Sequence, residues 1–187
     1  INMIYLNEGR IPTRIGNRYE STYPYDSFRT SDGDVIIGAG NDKLYATLCE
    51  EMGMPELKND PRFLTVSDRV KNHTALKEII ETWTSKSTID EIADRLNKVG
   101  VPSTPINTID RIVKDPQIAG ARKMFPVIQQ PGIGGVPTTN NALKFTNCPA
   151  DPEEPAPTLG QDNDMIFSTY ADLSSKEIEE LRAKKII

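Results

Sequence analysis

The spacing of hydrophobic and polar positions divides the chain into a helical start, a β-rich stretch, a run of helices and a turn-rich end. Ile1, Ile4 and Tyr5 share one helical face, so residues 1–10 read as the last part of a helix from a longer protein. Tyr25-Asp26-Ser27-Phe28-Arg29 reads as a short strand with aromatics at alternating positions. Val35-Ile36-Ile37 is its β-branched return. Between them, Ser31-Asp32-Gly33 predicts a hairpin turn in which Asp tolerates left-handed backbone and Gly supplies a positive φ. Gly38-Ala39-Gly40 lets the backbone turn closely, and Asn41 is placed to cap a helix from Asp42. Leu44, Tyr45, Leu48, Cys49 and Met52 give that helix an apolar stripe, and Gly53 stops it.

Further along, Met54-Pro-Glu-Leu57 and Asp60-Pro-Arg-Phe63 read as an ordered connection, with Phe63 plugging the core. The spacing predicts one helix from Thr65 or Ser67 to about Ser85, burying Val66, Val70, Leu76, Ile79, Ile80 and Trp83. Thr88-Ile-Asp-Glu91 is a capping box for a helix through Ile89, Ile92, Ala93, Leu96 and Val99, stopped by Gly100. Val101 to Asn107 reads as a strand with rigid proline ends, and Thr108 starts a short helix to Lys114. Phe125-Pro-Val-Ile128 and Ala142-Leu-Lys-Phe145 are strand-like around the turn-rich Gln129–Gly135. Residues 151–157 are acidic and proline-rich, an extended linker. Two helices close the chain, from about Gln161 to Tyr170 and from Ser174, where Ser174-x-x-Glu177 is a second capping box.

Composition then narrows the chemistry. The 187 residues carry a net charge of −5, with nine acids against four bases from Asp151 onward and eighteen of each before it. A chain of this balance, without a basic face, is a poor nucleic-acid binder. No apolar run approaches the roughly 20 residues of a membrane span, and no signal peptide is visible. Cys49 and Cys148 read as free thiols of a cytoplasmic protein, and a single histidine, His73, speaks against zinc. No Ser-His-Asp, Cys-His or carboxylate-pair arrangement stands out, so no catalytic residue is assigned within the chain. Gly132, Gly134 and Gly135 lack the lysine and following helix of a phosphate loop and read as a plain hairpin. Arg10, Arg14 and Arg18, four residues apart, are either a solvated linker or a phosphate contact to a nucleotide-bearing cofactor.

Several phrases together resemble one family. They are Arg14-Ile-Gly-Asn-Arg18, Pro24-Tyr25, Phe28-x-Thr-x-Asp-Gly33, Gly40-Asn-Asp42, Asp60-Pro-Arg-Phe63, Arg69-Val-x-Asn72, Val101-Pro-x-x-Pro-Ile-Asn107, Asp115-Pro-Gln with Arg122, and Pro155-Ala-Pro-x-Leu-Gly160. Their identity and order resemble class III CoA-transferases, the CaiB/BaiF group that also holds 2-methylacyl-CoA racemase. The chain departs from the family at Gln161-Asp162, where Glu-His is usual, and at His73, where Arg often follows the Asn.

The resemblance implies an α+β fold: a small domain of helices on a short antiparallel sheet, plus a C-terminal helical tail that would pack on a missing large α/β domain. Residues 1–22 would be the linker from that domain and 23–123 the small domain. Residues 124–187 would be the return linker, hairpin and closing helices. It implies transfer of CoA from an acyl-CoA to a carboxylic acid by an aspartate nucleophile upstream of this chain. The coenzyme A thioester would be a substrate, with no permanently bound cofactor and no metal. Gly16 and Asn17, with Arg18, Pro24 and Tyr25 beside them, would form the loop over the acyl end. An interlinked homodimer, with no nucleic-acid or membrane partner, is expected. A racemase fragment and a non-catalytic interaction module are the alternatives.

Overall fold

The computed structural model describes residues 2–148 and 154–187 and is α+β. Ile1, the first member of the N-terminal apolar face, and residues 151–153 of the acidic linker lie outside the described residues. The chain divides into two compact units, residues 1–107 and 108–187.

Unit one begins with α1 (Asn2–Glu8), which buries no residue. Strand β1 (Tyr25–Arg29) pairs antiparallel with β2 (Asp34–Gly38), which pairs antiparallel with β3 (Ser103–Pro105). Strand period places Phe28 opposite Val35 and Asp26 opposite Ile37, and all four side chains are buried. The two aromatics of β1 therefore do not share a face: Phe28 points inward and Tyr25 is 47% exposed. An odd sequence separation puts them on opposite sides of the pleat.

The hairpin turn forms without the backbone conformation expected of it. Neither Asp32 nor Gly33 has a positive φ. Gly33 answers to space instead, since a Cβ there would lie 2.7 Å from Cδ1 of Ile89. Asp32 Oδ1 accepts hydrogen bonds from the Thr30 hydroxyl (3.1 Å) and the Ile89 N–H (2.8 Å), tying the turn to the next helix.

Helices cover the inner face of the sheet. Helix α2 (Asp42–Glu51) starts where Asn41 Oδ1 accepts from the Leu44 N–H at 2.9 Å, and it buries Tyr45, Leu48 and Cys49. A 3-10 turn (Pro55–Asn59) and the loop that buries Phe63 follow. The single helix expected next is two. Helix α3 (Val66–Lys71) has a Thr65/Asp68 capping box, and α4 (His73–Thr84) buries Leu76, Ile80 and Trp83. The break falls at Asn72, whose side-chain amide donates to the carbonyls of Arg62 (2.9 Å) and Asp68 (3.0 Å). An Asn that bonds nearby backbone competes with helix continuation. Helix α5 (Ile89–Lys98) carries the expected Thr88/Glu91 box and buries Ile89, Ile92, Ala93 and Leu96. Val99, expected on that face, is 43% exposed because it caps the helix rather than continuing it.

A charge sits on the inner face of the sheet. Asp26 is 5% exposed and is paired with Lys77 Nζ at 2.9 Å, and Lys77 also donates to the Ser27 carbonyl at 2.7 Å. The pair joins α4 to β1, and partnering is what makes a buried carboxylate tolerable.

Unit two holds α6 (Ile109–Ile112), a π-type turn (Pro116–Ala121), the hairpin of β4 (Val127–Gln130) and β5 (Gly134–Pro137), α7 (Asn163–Tyr170) and α8 (Ser175–Ala183). The glycine-rich segment is thus a hairpin. Residues 142–145 are not a strand: Leu143 and Phe145 are more than half exposed, and no partner strand pairs with them among the described residues. Ser174 and Glu177 form the expected capping box, and Ile178 is buried, whereas Ile186 is 65% exposed beyond the helix end. Ala156 pairs with Gln130 through two hydrogen bonds of 2.9 and 3.0 Å. Among the described residues, no helix is long and apolar enough to cross a membrane.

Candidate functional site

The loop between α1 and β1 carries four of the five expected site residues, Gly16, Asn17, Arg18 and Pro24, and Tyr25 opens β1. It turns at Gly16, whose φ is +73°, a backbone conformation that a residue with a Cβ adopts only with strain. Nothing lies within 4 Å of the position a Cβ would take there, so the turn opens onto free space.

The rest of the loop is held from several sides. The Arg10 guanidinium meets Glu20 Oε1 at 2.6 Å, closing a ten-residue span across its base. That hydrogen bond to Glu20 also raises the pKa of the Arg10 guanidinium. The Asn17 amide donates to Ser27 Oγ at 3.1 Å, and the Tyr19 N–H donates to the Tyr25 carbonyl at 2.8 Å. The rings of Tyr19 and Tyr25 lie 5.6 Å apart at 55°. At its far end, Thr22 packs on Gly40 so closely that a Cβ on Gly40 would lie 2.6 Å from Thr22 Cγ2.

Beneath the loop is a buried arginine. Arg69 is fully buried and donates to the carbonyls of Tyr23 (2.9 Å), Phe63 (3.1 Å) and Gly40 (3.3 Å) and to Asp42 Oδ1 (2.7 Å). Its guanidinium carbon stands 4.5 Å over the Tyr45 ring. The planar fork of Arg suits one side chain to several acceptors at once. It fixes the Tyr23-Pro24 corner, to which the loop is joined, relative to α2 and α3. Arg69 and Asn72 both serve as structural anchors.

The loop walls an open cavity of about 920 Å³ lined by Gly16, Asn17 and Arg18 with Ile4, Arg14 and Tyr19 among others. Pro24 and Tyr25 do not line it. Pro24 is buried in the corner, its carbonyl accepting from the Ala39 N–H at 2.8 Å. Tyr25 instead borders a groove of about 350 Å³ on the outer side of the sheet, with Ile36, Gly38 and Pro102. The structure therefore brings three expected residues together, and Tyr25 meets their loop through Tyr19.

Residues the sequence reading did not assign to the site include Ile4, Ile15, Tyr19 and Glu20 on the cavity wall. The signal available for Glu20 was its distance of ten residues from Arg10, which only a closed loop turns into an ion pair. The Tyr23 hydroxyl is buried and has no hydrogen-bond partner among the described residues. Burial pushes the phenol pKa far up, and the charges of Asp26 and Glu81 push in the same direction while Arg18 opposes.

His73, Cys49, Asp60 and Asp115 are occupied structurally. His73 Nδ1 lies 3.0 Å from the Val70 carbonyl, and its ring meets the Tyr23 ring edge-on at 6.0 Å. Burial raises the Cys49 thiol pKa, which suppresses the thiolate. Cys148 is a free, exposed thiol. Asp60 and Asp115 each accept backbone N–H bonds just past a proline, at 2.9 Å from Arg62 and 2.8 Å from Gln117. No cluster of three or more His, Cys, Asp or Glu that would hold a metal occurs among the described residues.

Residues 1–163 match the profile of CoA-transferase family III. The chain is 31% identical over 184 residues to the succinyl-CoA–D-citramalate CoA-transferase of Chloroflexus aurantiacus, covering 98% of this chain and 46% of that protein. It is 35% identical over 170 residues to the acetyl-CoA:oxalate CoA-transferase of Acetobacter aceti, covering 90% of this chain and 42% of that one. Among solved structures, a CAIB/BAIF family protein from Brucella suis superimposes with a TM-score of 0.72 at 34% identity, over 89% of this chain and 43% of that chain. The chain thus spans about half the length of the curated relatives it matches.

Proposed function

The chain belongs to CoA-transferase family III, and from that premise we propose that its full-length form moves CoA from an acyl-CoA to a carboxylic acid. The observation that supports this reading is the Gly16-Asn17-Arg18 loop, braced from beneath and open above Gly16. The backbone at Gly16 would approach the thioester carbonyl and shield the intermediate from water. Arg18 and Asn17 would flank the acyl end, with Pro24 and Tyr25 shaping the corner behind them.

The nucleophile in this reading is an aspartate upstream of the chain. Its carboxylate attacks the thioester carbonyl, the C–S bond breaks, CoA leaves as thiolate and a mixed anhydride remains. The thiolate then attacks the aspartyl carbonyl, releasing the donor acid and forming an aspartyl-CoA thioester. The acceptor carboxylate attacks that thioester, its C–S bond breaks to release the CoA thiolate, and a second anhydride forms. The thiolate returns to the acceptor's carbonyl, giving the new acyl-CoA and free aspartate. This chain's part is to orient the acyl group, since misplacement by about 1 Å can cost roughly a hundredfold.

The organisation proposed with it is residues 1–22 as linker, 23–123 as small domain and 124–187 as return segment, the tail packing on a large α/β domain. An interlinked homodimer in the cytoplasm is part of the same reading. The relatives named above act on citramalate or oxalate. Both are dicarboxylates, so we take the acid here to be a dicarboxylate too. No observation favours the racemase or the non-catalytic module over transfer.

The test is exchange of label between a succinyl-CoA and free succinate by the full-length protein. Exchange is expected, with none by residues 1–187 alone. Exchange by residues 1–187 that disappears on mutating one of their aspartates would overturn the assignment of the nucleophile. No exchange by the full-length protein with any acyl-CoA would overturn the transferase reading.

A further inference from the structure

We propose that Arg14 and Arg18 recognise the second carboxylate of a dicarboxylic acyl group, an inference that rests on the CoA-transferase reading. Three arginines recur at four-residue intervals here, and their charges are used differently. Arg10 is held by Glu20 at 2.6 Å and by Glu8 at 3.4 Å. Arg14 and Arg18 make no ion pair and no hydrogen bond with any described residue. Both line the loop cavity of about 920 Å³. Glu20 lines it too, but its carboxylate is already neutralised by Arg10.

The cavity therefore presents two uncompensated guanidinium groups on walls that also include Ile4, Pro12, Ile15 and Tyr19. A short carbon chain ending in a carboxylate fits both features: methylenes against the apolar wall, and a planar anion in the planar fork. A monocarboxylic acid has one carboxylate, and that group must sit at the nucleophile as the reacting centre. Only a diacid brings a second anion to pair with these side chains. A pair of cations left open on an apolar wall also acts against monoacids, which would leave the charges desolvated and unmatched. Arg14 and Arg18 are on this account specificity-determining residues. The phosphates of CoA share the anionic chemistry, so the experiment separates the two.

In the full-length enzyme, Arg14→Gln, Arg18→Gln and the double variant are compared with the parent using succinyl-CoA and butyryl-CoA as donors. Inhibition by free CoA is measured in parallel, and thermal unfolding confirms that each variant is folded. Charge-assisted hydrogen bonds of the usual strength predict that the succinyl-over-butyryl ratio of kcat/KM falls about 10- to 100-fold in the double variant. Arg18→Lys, which keeps the charge but loses the fork, is expected to recover part of that ratio. The CoA inhibition constant is expected to stay within about twofold of the parent, within the scatter of such measurements. Equal loss with both thioesters together with weaker CoA inhibition would assign the guanidiniums to CoA phosphates and overturn the proposal. An unaltered ratio in an active double variant would overturn it while leaving the transferase reading intact. No transfer by the parent with either donor overturns both.

Discussion

Replacing Arg69 with Met tests whether one buried guanidinium holds the corner beneath the loop. The substitution keeps length and apolar bulk but removes every donor. Three backbone carbonyls, those of Tyr23, Phe63 and Gly40, would lose their Arg69 hydrogen bonds in the interior. The Gly40 carbonyl keeps the Thr22 hydroxyl at 3.5 Å, so two buried acceptors are left unsatisfied at about 1–3 kcal/mol each, an upper sum near 6 kcal/mol. Water entry and shared relaxation reduce such sums, so a net cost of about 3–5 kcal/mol is expected. The fourth contact, with Asp42, adds little, because that carboxylate's side chain is 76% exposed. Against a total stability of about 5–15 kcal/mol, Arg69→Met should be among the most destabilising single changes in this unit. Its melting temperature should fall by at least about 12 °C. The sole tryptophan, Trp83, lies in the same core and reports unfolding in urea by its emission. Asp42→Asn is the matched control, expected to cost less than about 1 kcal/mol. If Arg69→Met costs under about 1 kcal/mol at unchanged m, the carbonyls are not held as argued. If Asp42→Asn costs as much as Arg69→Met, the ion pair and not the carbonyl set is the anchor.

Trp83 is 9% exposed beneath the Arg95 guanidinium, so Trp83→Ala should cost about 3–5 kcal/mol by circular dichroism, and a loss under about 1 kcal/mol would contradict its place in the core. Gly40→Ala drives a methyl into Thr22 and should cost about 1–3 kcal/mol, with Thr22→Ser relieving much of it; additive losses in the double variant would refute that contact. Gly16→Val in the full-length enzyme should lower turnover while costing only about 1–2 kcal/mol for its positive φ, and unchanged kinetics would remove Gly16 from the site. Hydrogen bonds from Arg62, Thr65 and Ser174 lower the pKa values of Asp60, Asp68 and Glu177 respectively. Their folded forms bind protons less readily than the unfolded chain, so their stabilisation is present above about pH 4 and fades as pH falls below it. Asp68→Asn should therefore flatten the acid side of a melting-temperature profile, and an unchanged slope would show that the cap does not titrate with folding.

Much of the local physics was legible in the sequence where cause and effect lie within one helical turn or one strand pair, the backbone of the Asp32-Gly33 turn excepted. The caps at Asn41, Thr88 and Ser174 each join a side chain to an N–H three residues on, and each formed. The apolar stripe of α2 and the β1–β2 pairing followed from periods of 3.6 and 2. The family phrases were equally local strings, which is why the resemblance could be read before the fold. What remained hidden needed distant parts of the chain to meet. Asn72 ends a helix because of a carbonyl ten residues back, and Gly33 is required by the side chain of Ile89. Asp26 is tolerable on the inner face because Lys77 reaches it across 51 residues, and Arg69 gathers Tyr23 from 46 residues away. The four-residue spacing of Arg10, Arg14 and Arg18 was visible from the start, but which of them are free depends on where Glu20 lies once the loop closes. Charge pairing is a property of distance in space, and the hydrophobic pattern along a chain carries no record of it.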